Sequence, residues 1–301
     1  MKAQAPGKVV LSGAYAVLEG APAVVSAVNR YVFADASRDA VFFTEEVRAA
    51  GLRSAPWFDA SALRTEDRKL GLGSSAAILA ASLAADVLSR EPHLTDELLA
   101  RIVFPKALRA HALAQPLGSG IDVCATCFGG TRVAQRRDGD LQHEPAPLPV
   151  NLHVEIWAAP RACSTSTMLA ILFEFRRNHP TDFSKKIQAQ ADASAQAVEA
   201  LRQLDAAQLV SALQGQFLAL QNLGRAAGLS IVTEAVATLA AAAGEEAAAV
   251  LPAGAGGGDV AIYAGPRPPS EKLKRLMAEL EHESLNLVLG CRGVHSAAAE
   301  C

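Results

Sequence analysis

Apolar positions follow two different periods along this chain, and the switches between them mark its elements. Val9, Val10 and Leu11 form a short apolar run that predicts a strand, ended by a turn at Ser12-Gly13. Residues 23–28 and 31–34 have the β-branched and aromatic content of two further strands. A charged connection (64–69) and Gly71-Leu72-Gly73 come next. Residues 74–89 are then apolar nearly all round, the pattern of a buried helix. Thr95, followed by Asp96 and Glu97, combines a cap with first-turn acids and starts another helix. That helix is predicted to end before Pro105, which has no N–H for the ladder. An apolar segment closes on Gly129-Gly130; residues 131–134 predict a strand and 136–140 a hairpin turn.

Pro145-Ala146-Pro147-Leu148-Pro149 is the strongest break in the pattern and divides the chain into two expected domains, 1–149 and 150–301. A fresh strand (153–158) follows. Helices at roughly 185–205, 207–227 and 231–243 lead to a glycine-rich break. A strand (260–264), a helix (270–282) and a strand (286–289) complete the chain. The succession is an α+β layer pattern.

Composition narrows the classes. With 50% hydrophobic and 20% charged residues, disorder, collagen and a disulfide-held mini-protein are excluded. Aromatics are few and alanine abundant, which favours close-packed Ala-rich helices. The net charge of −3 shows no basic excess, so nucleic acid is not an expected partner, and a small anionic substrate would need locally gathered positive charge. Five cysteines without a disulfide spacing point to a reducing compartment, the cytoplasm. Cys124-Ala-Thr-Cys127 lacks the second pair of a zinc site, and both cysteines read as buried small residues. The longest charge-free stretches, 70–85 and 206–224, are broken by Gly, Ser or Gln, so no spanning helix and no membrane partner is expected. Lys2, Lys8, the run 9–18 and Ala14-Tyr15-Ala16 imitate a signal peptide, but Ser12 and Gly13 interrupt its core.

Candidate chemistry sits in glycine-rich segments. Pro6-Gly7-Lys8 is either a turn with a solvated lysine or a lysine leaving a strand end toward a phosphate. In Gly71-Leu72-Gly73-Ser74-Ser75-Ala76-Ala77 the glycines let successive N–H groups converge on an anion. The following helix adds its positive end, and the serines offer hydroxyls to phosphate or metal. No lysine stands where a Walker A loop requires it, and no hydrophobic strand precedes the loop as a dinucleotide fingerprint demands. Gly254-Ala-Gly256-Gly257-Gly258-Asp259 costs so much chain entropy that close approach to a ligand or to the other glycine loop is its expected reason. Gly118-Ser119-Gly120-Ile121-Asp122 reads as a capping box, Ser119 to Asp122, as the seat of a catalytic carboxylate, or as both. His111 reads as a helix-surface residue rather than a ligand.

Taken in order, Ala5-Pro6-Gly7-Lys8 running into Gly13–Leu18, then Gly71–Ala77, then Gly254–Asp259 with its following strand resemble the three motifs of the GHMP kinase superfamily. Within it the chain looks most like the phosphomevalonate kinases. Tyr15 after the strand turn, Gly118–Asp122-Val123, Gly228–Thr233 and Gly256-Gly257-Gly258-Asp259 carry that likeness. Ala14 stands where the family usually has Glu, and Leu251 and Ala253 stand where it often has Lys and Ser.

The resemblance implies a two-domain fold: an N-terminal ribosomal-S5-like domain and a C-terminal ferredoxin-like domain with Ala-rich helices. It implies ATP and Mg2+ as cofactors, with ATP phosphates on Gly71, Leu72, Gly73, Ser74, Ser75 and Ala76, and the metal on Ser74 or Ser75. It makes Lys8 and Asp122 the catalytic pair. With an alcohol acceptor Asp122 would be a general base; with phosphomevalonate it would orient Lys8. Acceptor contacts are implied for Tyr15, Ser119, Gly120, Ser164, Thr165, Ser166, Gly256, Gly257 and Asp259; Arg132 and Arg161 are candidate further cations there, and each reads equally as a solvated surface arginine. The hydroxyl run at 164–167 reads equally as an N-cap. A homodimer is compatible with all of this. A mevalonate or sugar kinase, or a non-catalytic binding relative, are the competing readings.

Overall fold

The computed structural model describes residues 1–65, 68–137, 139–160 and 165–297. The chain begins with β1 (Lys2–Ser12) and β2 (Ala23–Asp39), then the short helix α1 (Glu45–Ala49) and β3 (Pro56–Asp59). Three helices follow, α2 (Ser74–Arg90), α3 (Asp96–Ala114) and α4 (Ile121–Phe128), and then the hairpin β4 (Thr131–Arg137) and β5 (Asp140–Pro145). After the proline-rich crossover come β6 (His153–Ala158), α5 (Thr165–Asn178), α6 (Pro180–Arg202), α7 (Ala206–Ala227) and α8 (Glu234–Gly244). The strands β7 (Ala249–Pro252) and β8 (Val260–Gly265), α9 (Glu271–Glu279), β9 (Glu283–Ser284) and β10 (His295–Ser296) end the described chain.

Two antiparallel sheets result. One has the order β10-β1-β2-β4-β5, with β3 added to β2; the other has the order β7-β8-β6-β9. This is the expected α+β architecture. β10 returns from the far end of the chain to pair with β1, Ala3 opposite Ser296.

α2 is the wedge that positions the site. Its residues from Ala76 to Ala85 are all buried, Leu79 and Leu83 included, as the all-round apolar pattern requires. One continuous core then joins Val9, Val24 and Leu79 to Ile156, Leu201, Leu213 and Ile262 across both sheets. A polar contact crosses the same joint: Ser12 Oγ donates to Gln216 Oε1 at 2.8 Å, and the Gly13 amide reaches the same oxygen at 3.3 Å.

Several expected elements differ. Residues 23–28 and 31–34 belong to one long strand, β2, whose pairing with β1 shifts register near Pro6/Gly7 rather than breaking. α3 runs through Pro105 to Ala114. Pro105 lies on the exposed face, where water can serve the carbonyl it leaves free, while Leu99, Val103, Ala107 and Ala110 hold the opposite stripe in the core. The strand expected at 286–289 does not form. Asn286 has φ +48, and Val288 instead bonds Asn29 on β2. The helix expected over 270–282 is shorter, with Ser270 as its cap. Cys124 and Cys127 lie inside α4, buried as expected; burial pushes the Cys124 thiol up to about 12. Among the described residues no helix is long and apolar enough to cross a membrane.

His143 on β5 packs against Phe104 and Phe128, and its Nδ1 accepts from Arg132 Nε at 3.2 Å. Burial, with the Arg132 charge second, lowers its pKa to about 4. The unfolded ring titrates near about 6.5, so on acidification the unfolded chain takes the proton first. Stability from the neutral ring is therefore complete above about 6.5 and is lost as pH falls toward about 4. His111 and His295, also lowered by burial, act in the same direction. The urea midpoint should fall between pH 7 and pH 5, and fall less in His143→Gln; equal slopes would contradict this.

Candidate functional site

The site grows from a close approach of β1 to the loop before α2. The Lys8 amide donates to Leu72 O at 2.8 Å, and a side chain on Gly7 would collide with the same oxygen. Lys8 thus sits inside a strand, just past its register shift, not at a strand end as expected. Gly71 and Gly73 have φ +72 and +74, which glycine alone adopts without strain. A Cβ on Gly73 would lie 2.6 Å from Lys8 Cε, so the lysine stem passes directly under the loop. Gly73 caps α2 without any side-chain bond, leaving the helix's first N–H groups facing outward.

Lys8 is buried, and its Nζ meets Asp122 Oδ2 at 3.1 Å. Asp122 stands in the first turn of α4, where the helix dipole favours a negative charge. The capping box is therefore not what forms here. The cap is Gly120, with no side-chain bond, and Ser119 Oγ only reaches Ile121 N at 3.5 Å. Arg136 holds the loop instead, donating from Nε to Ser119 O at 2.9 Å.

Two adjoining cavities share this ion pair. The larger, about 810 Å³, is lined by Gly71, Gly73, Ser74, Ser75, Ala76 and Asp259 among others, with Lys69 at its edge. The smaller, about 140 Å³, is lined by Tyr15, Ser119, Gly120, Leu117, Gly254 and Ala255 among others. Lys8, Asp122 and His111 belong to both walls.

The third glycine segment reaches the second, as its composition suggested: a Cβ on Gly71 would lie 2.8 Å from Asp259 Cβ. Tyr15, held at φ +64, donates its hydroxyl to Ala255 O at 2.5 Å. Gly256 and Gly257 lie outside both linings, packed on Ile231, whose carbonyl accepts from the Gly257 amide at 2.9 Å. Leu72 contributes its carbonyl to β1 rather than a surface to the cavity. Ser166 lines the larger cavity. Ser164 and Arg161 lie outside the described residues, as does the side chain of Thr165. Arg132 is not in either lining; it is committed to His143.

Three residues were missed or misplaced by sequence reasoning. His111 is buried in the cavity wall, not on the helix surface. Gln115, the residue that caps the end of α3, lines both cavities and donates Nε2 to Glu46 Oε1 at 2.5 Å. Glu46, on α1, is buried behind the loop. Burial pushes its carboxyl up, but its own amide and hydrogen bonds from Thr44, Gln115 and Ser75 outweigh this and hold it below the usual range. Nothing in the sequence around Glu46 signals this; only the packing of α1 on α3 brings it there. The Glu46 carboxyl also engages the Ser75 hydroxyl.

The glycine loop, the outward N–H groups of α2 and the two lysines suit a chain of phosphates, and a magnesium ion needs few protein oxygens when phosphates supply the rest. Among the described residues no cluster of three His, Cys, Asp or Glu forms a metal cage.

No protein-family model matches the chain. A phosphomevalonate kinase of Streptomyces sp. (strain CL190) is 26% identical over 86% of this chain and 88% of that protein. A mevalonate kinase of Archaeoglobus fulgidus is 28% identical over 60% of this chain and 66% of that one. Phosphomevalonate kinase of Streptococcus pneumoniae, solved with phosphomevalonate and AMPPNP, superposes with a TM-score of 0.74 at 18% identity, covering 96% of this chain and 99% of that structure. This is the two-domain GHMP kinase fold. The likeness to phosphomevalonate and mevalonate kinases that the glycine motifs carry thus extends over most of the chain.

The ion pair makes an asymmetric expectation for stability. Asp122→Asn strands a lysine whose side chain is 11% exposed, whereas Lys8→Met strands a carboxylate that is 31% exposed and sits at a helix N-terminus. Asp122→Asn should cost about 1–3 kcal/mol, and Lys8→Met less. Urea unfolding of both variants checks the order; the reverse order would contradict the burial argument.

Proposed function

We propose that the protein is an ATP-dependent small-molecule kinase of the GHMP type whose acceptor is phosphomevalonate. The single observation that carries the reading is the Lys8–Asp122 pair at the junction of a glycine-lined cavity and a smaller one. A transferring phosphoryl group needs two compartments, one for the donor and one for the acceptor, with a cation where they meet.

On this reading the ATP phosphates lie along Gly71–Ala76, against the α2 N-terminus and Lys69. Ser74, with a carboxylate from Asp122 or Asp259, would hold Mg2+, which supplies charge neutralisation across the phosphates. A phosphate oxygen of the acceptor attacks the γ-phosphorus; that O–P bond forms as the β–γ bridge bond breaks and ADP leaves. An acceptor phosphate is already anionic, so no strong base is required. Lys8 offsets the charge gathering at the junction, and Asp122 fixes its position. Tyr15, Ser119 and Gly120 shape the acceptor end, with the Tyr15 hydroxyl holding the third glycine loop. The division of the chain at Pro145–Pro149 belongs to the same proposal, with β10 returned to the first sheet.

A second reading has an observation of its own. The smaller cavity is lined by a single lysine and no arginine among the described residues, with Arg132 elsewhere. That favours an acceptor with one anionic group, such as mevalonate, with Asp122 as general base.

Turnover with ATP, magnesium and a panel of acceptors separates the two. kcat/KM for phosphomevalonate should exceed that for mevalonate by on the order of a hundredfold, about 3 kcal/mol. A preference for mevalonate would overturn the acceptor and leave the kinase. Lys8→Ala and Asp122→Asn should reduce kcat far more than ATP affinity, as losses in the transition state do; unchanged kcat would remove the pair from the chemistry.

A further inference from the structure

We infer that His111 is a ligand-contacting residue that hydrogen-bonds a phosphoryl oxygen where the two cavities join. The inference rests on the kinase reading above. His111 is only 5% exposed, yet among the described residues its ring has a buried nitrogen without a hydrogen-bond partner. Nδ1 is sealed from solvent and has no partner. Nε2 faces Gly118, lying 2.7 Å from where a side chain there would begin, so glycine at that position is what makes room for the ring. Leaving a buried ring nitrogen without a partner is expensive, and proteins rarely tolerate it without a use.

The surroundings indicate the use. His111 stands in the wall of both cavities, beside the Lys8–Asp122 pair. The charged groups that act on it are Asp122, Glu46, Arg136 and Lys8, two of each sign. Burial, the dominant influence, holds its pKa below the ordinary value, so the ring is neutral near pH 7. A neutral imidazole carries one N–H and one acceptor nitrogen. It can donate to a phosphoryl oxygen without adding a second cation to compete with Lys8 for Asp122. Lys8 supplies charge at the junction, and His111 supplies direction.

Calorimetric titration of the full chain with magnesium–AMPPNP and, separately, with phosphomevalonate tests this, alongside melting temperatures without ligand. His111→Leu removes the unpartnered buried nitrogen, so the empty protein should melt at or above the unsubstituted temperature. Affinity should fall about tenfold for the ligand whose phosphate the ring meets. Loss confined to AMPPNP assigns the contact to the nucleotide; loss confined to phosphomevalonate assigns it to the acceptor. A purely structural histidine would give the opposite result, a lower melting temperature with both affinities kept, and that would overturn the inference.

Should His111→Leu not fold, the unsubstituted protein still decides. Its His111 ring resonance in a 15N-histidine spectrum, assigned by its loss in His111→Gln, should move at saturation with the contacting ligand; no movement with either ligand overturns the inference. An unsubstituted chain that binds neither ligand fails at the kinase reading itself, before any variant is made.

Discussion

The ion pair between Lys8 and Asp122 is the constraint around which the site is organised. A charge as buried as Lys8 is tolerated only with a partner, and that requirement fixes β1 against α4. The lysine stem occupies the space a side chain on Gly73 would need, which ties the same pair to the loop that opens α2. Three elements far apart in sequence are thus held by one interaction. The two cavities meet where it lies.

Rigidity behind the loop comes from packing. α2 is enclosed by the β1–β2 hairpin and by α3 and α4, so its N-terminus cannot shift without disturbing the main core. Glu46 extends the same principle to polar groups. Its buried carboxylate holds Ser75 and Gln115, one on the loop side and one in the cavity wall. Alanine makes the arrangement possible, because small side chains let α2 sit close to the sheet without the voids that larger, poorly fitting ones would leave.

Much of this was legible in the chain. The all-round apolar run at 74–89 and the paired glycines at 71 and 73 each report a local physical need, so one sequence window contains the whole signal. The pairing of Lys8 with Asp122 was implied by the family resemblance, and the contact between the second and third glycine segments by the glycine-rich composition of the third. What failed depends on partners distant in sequence. Local propensity makes Pro105 a stop; the buried stripe of α3 overrides it on a face where water serves the free carbonyl. Ser119 and Asp122 have the spacing of a cap, but Lys8 takes the carboxylate. Arg132 follows a glycine turn that suggested the acceptor pocket, and only the tertiary fold delivers it to His143. His111 and Glu46 carry no motif at all, and their burial comes from how α1, α3 and α4 meet.

A double-mutant cycle on turnover tests the central claim most directly, using Lys8→Ala, Asp122→Ala and the pair together. If the two side chains act as one unit, the double variant should be about as impaired as the worse single variant, a coupling of at least about 1 kcal/mol. Losses that add fully would mean that lysine and aspartate act independently, and would contradict the account.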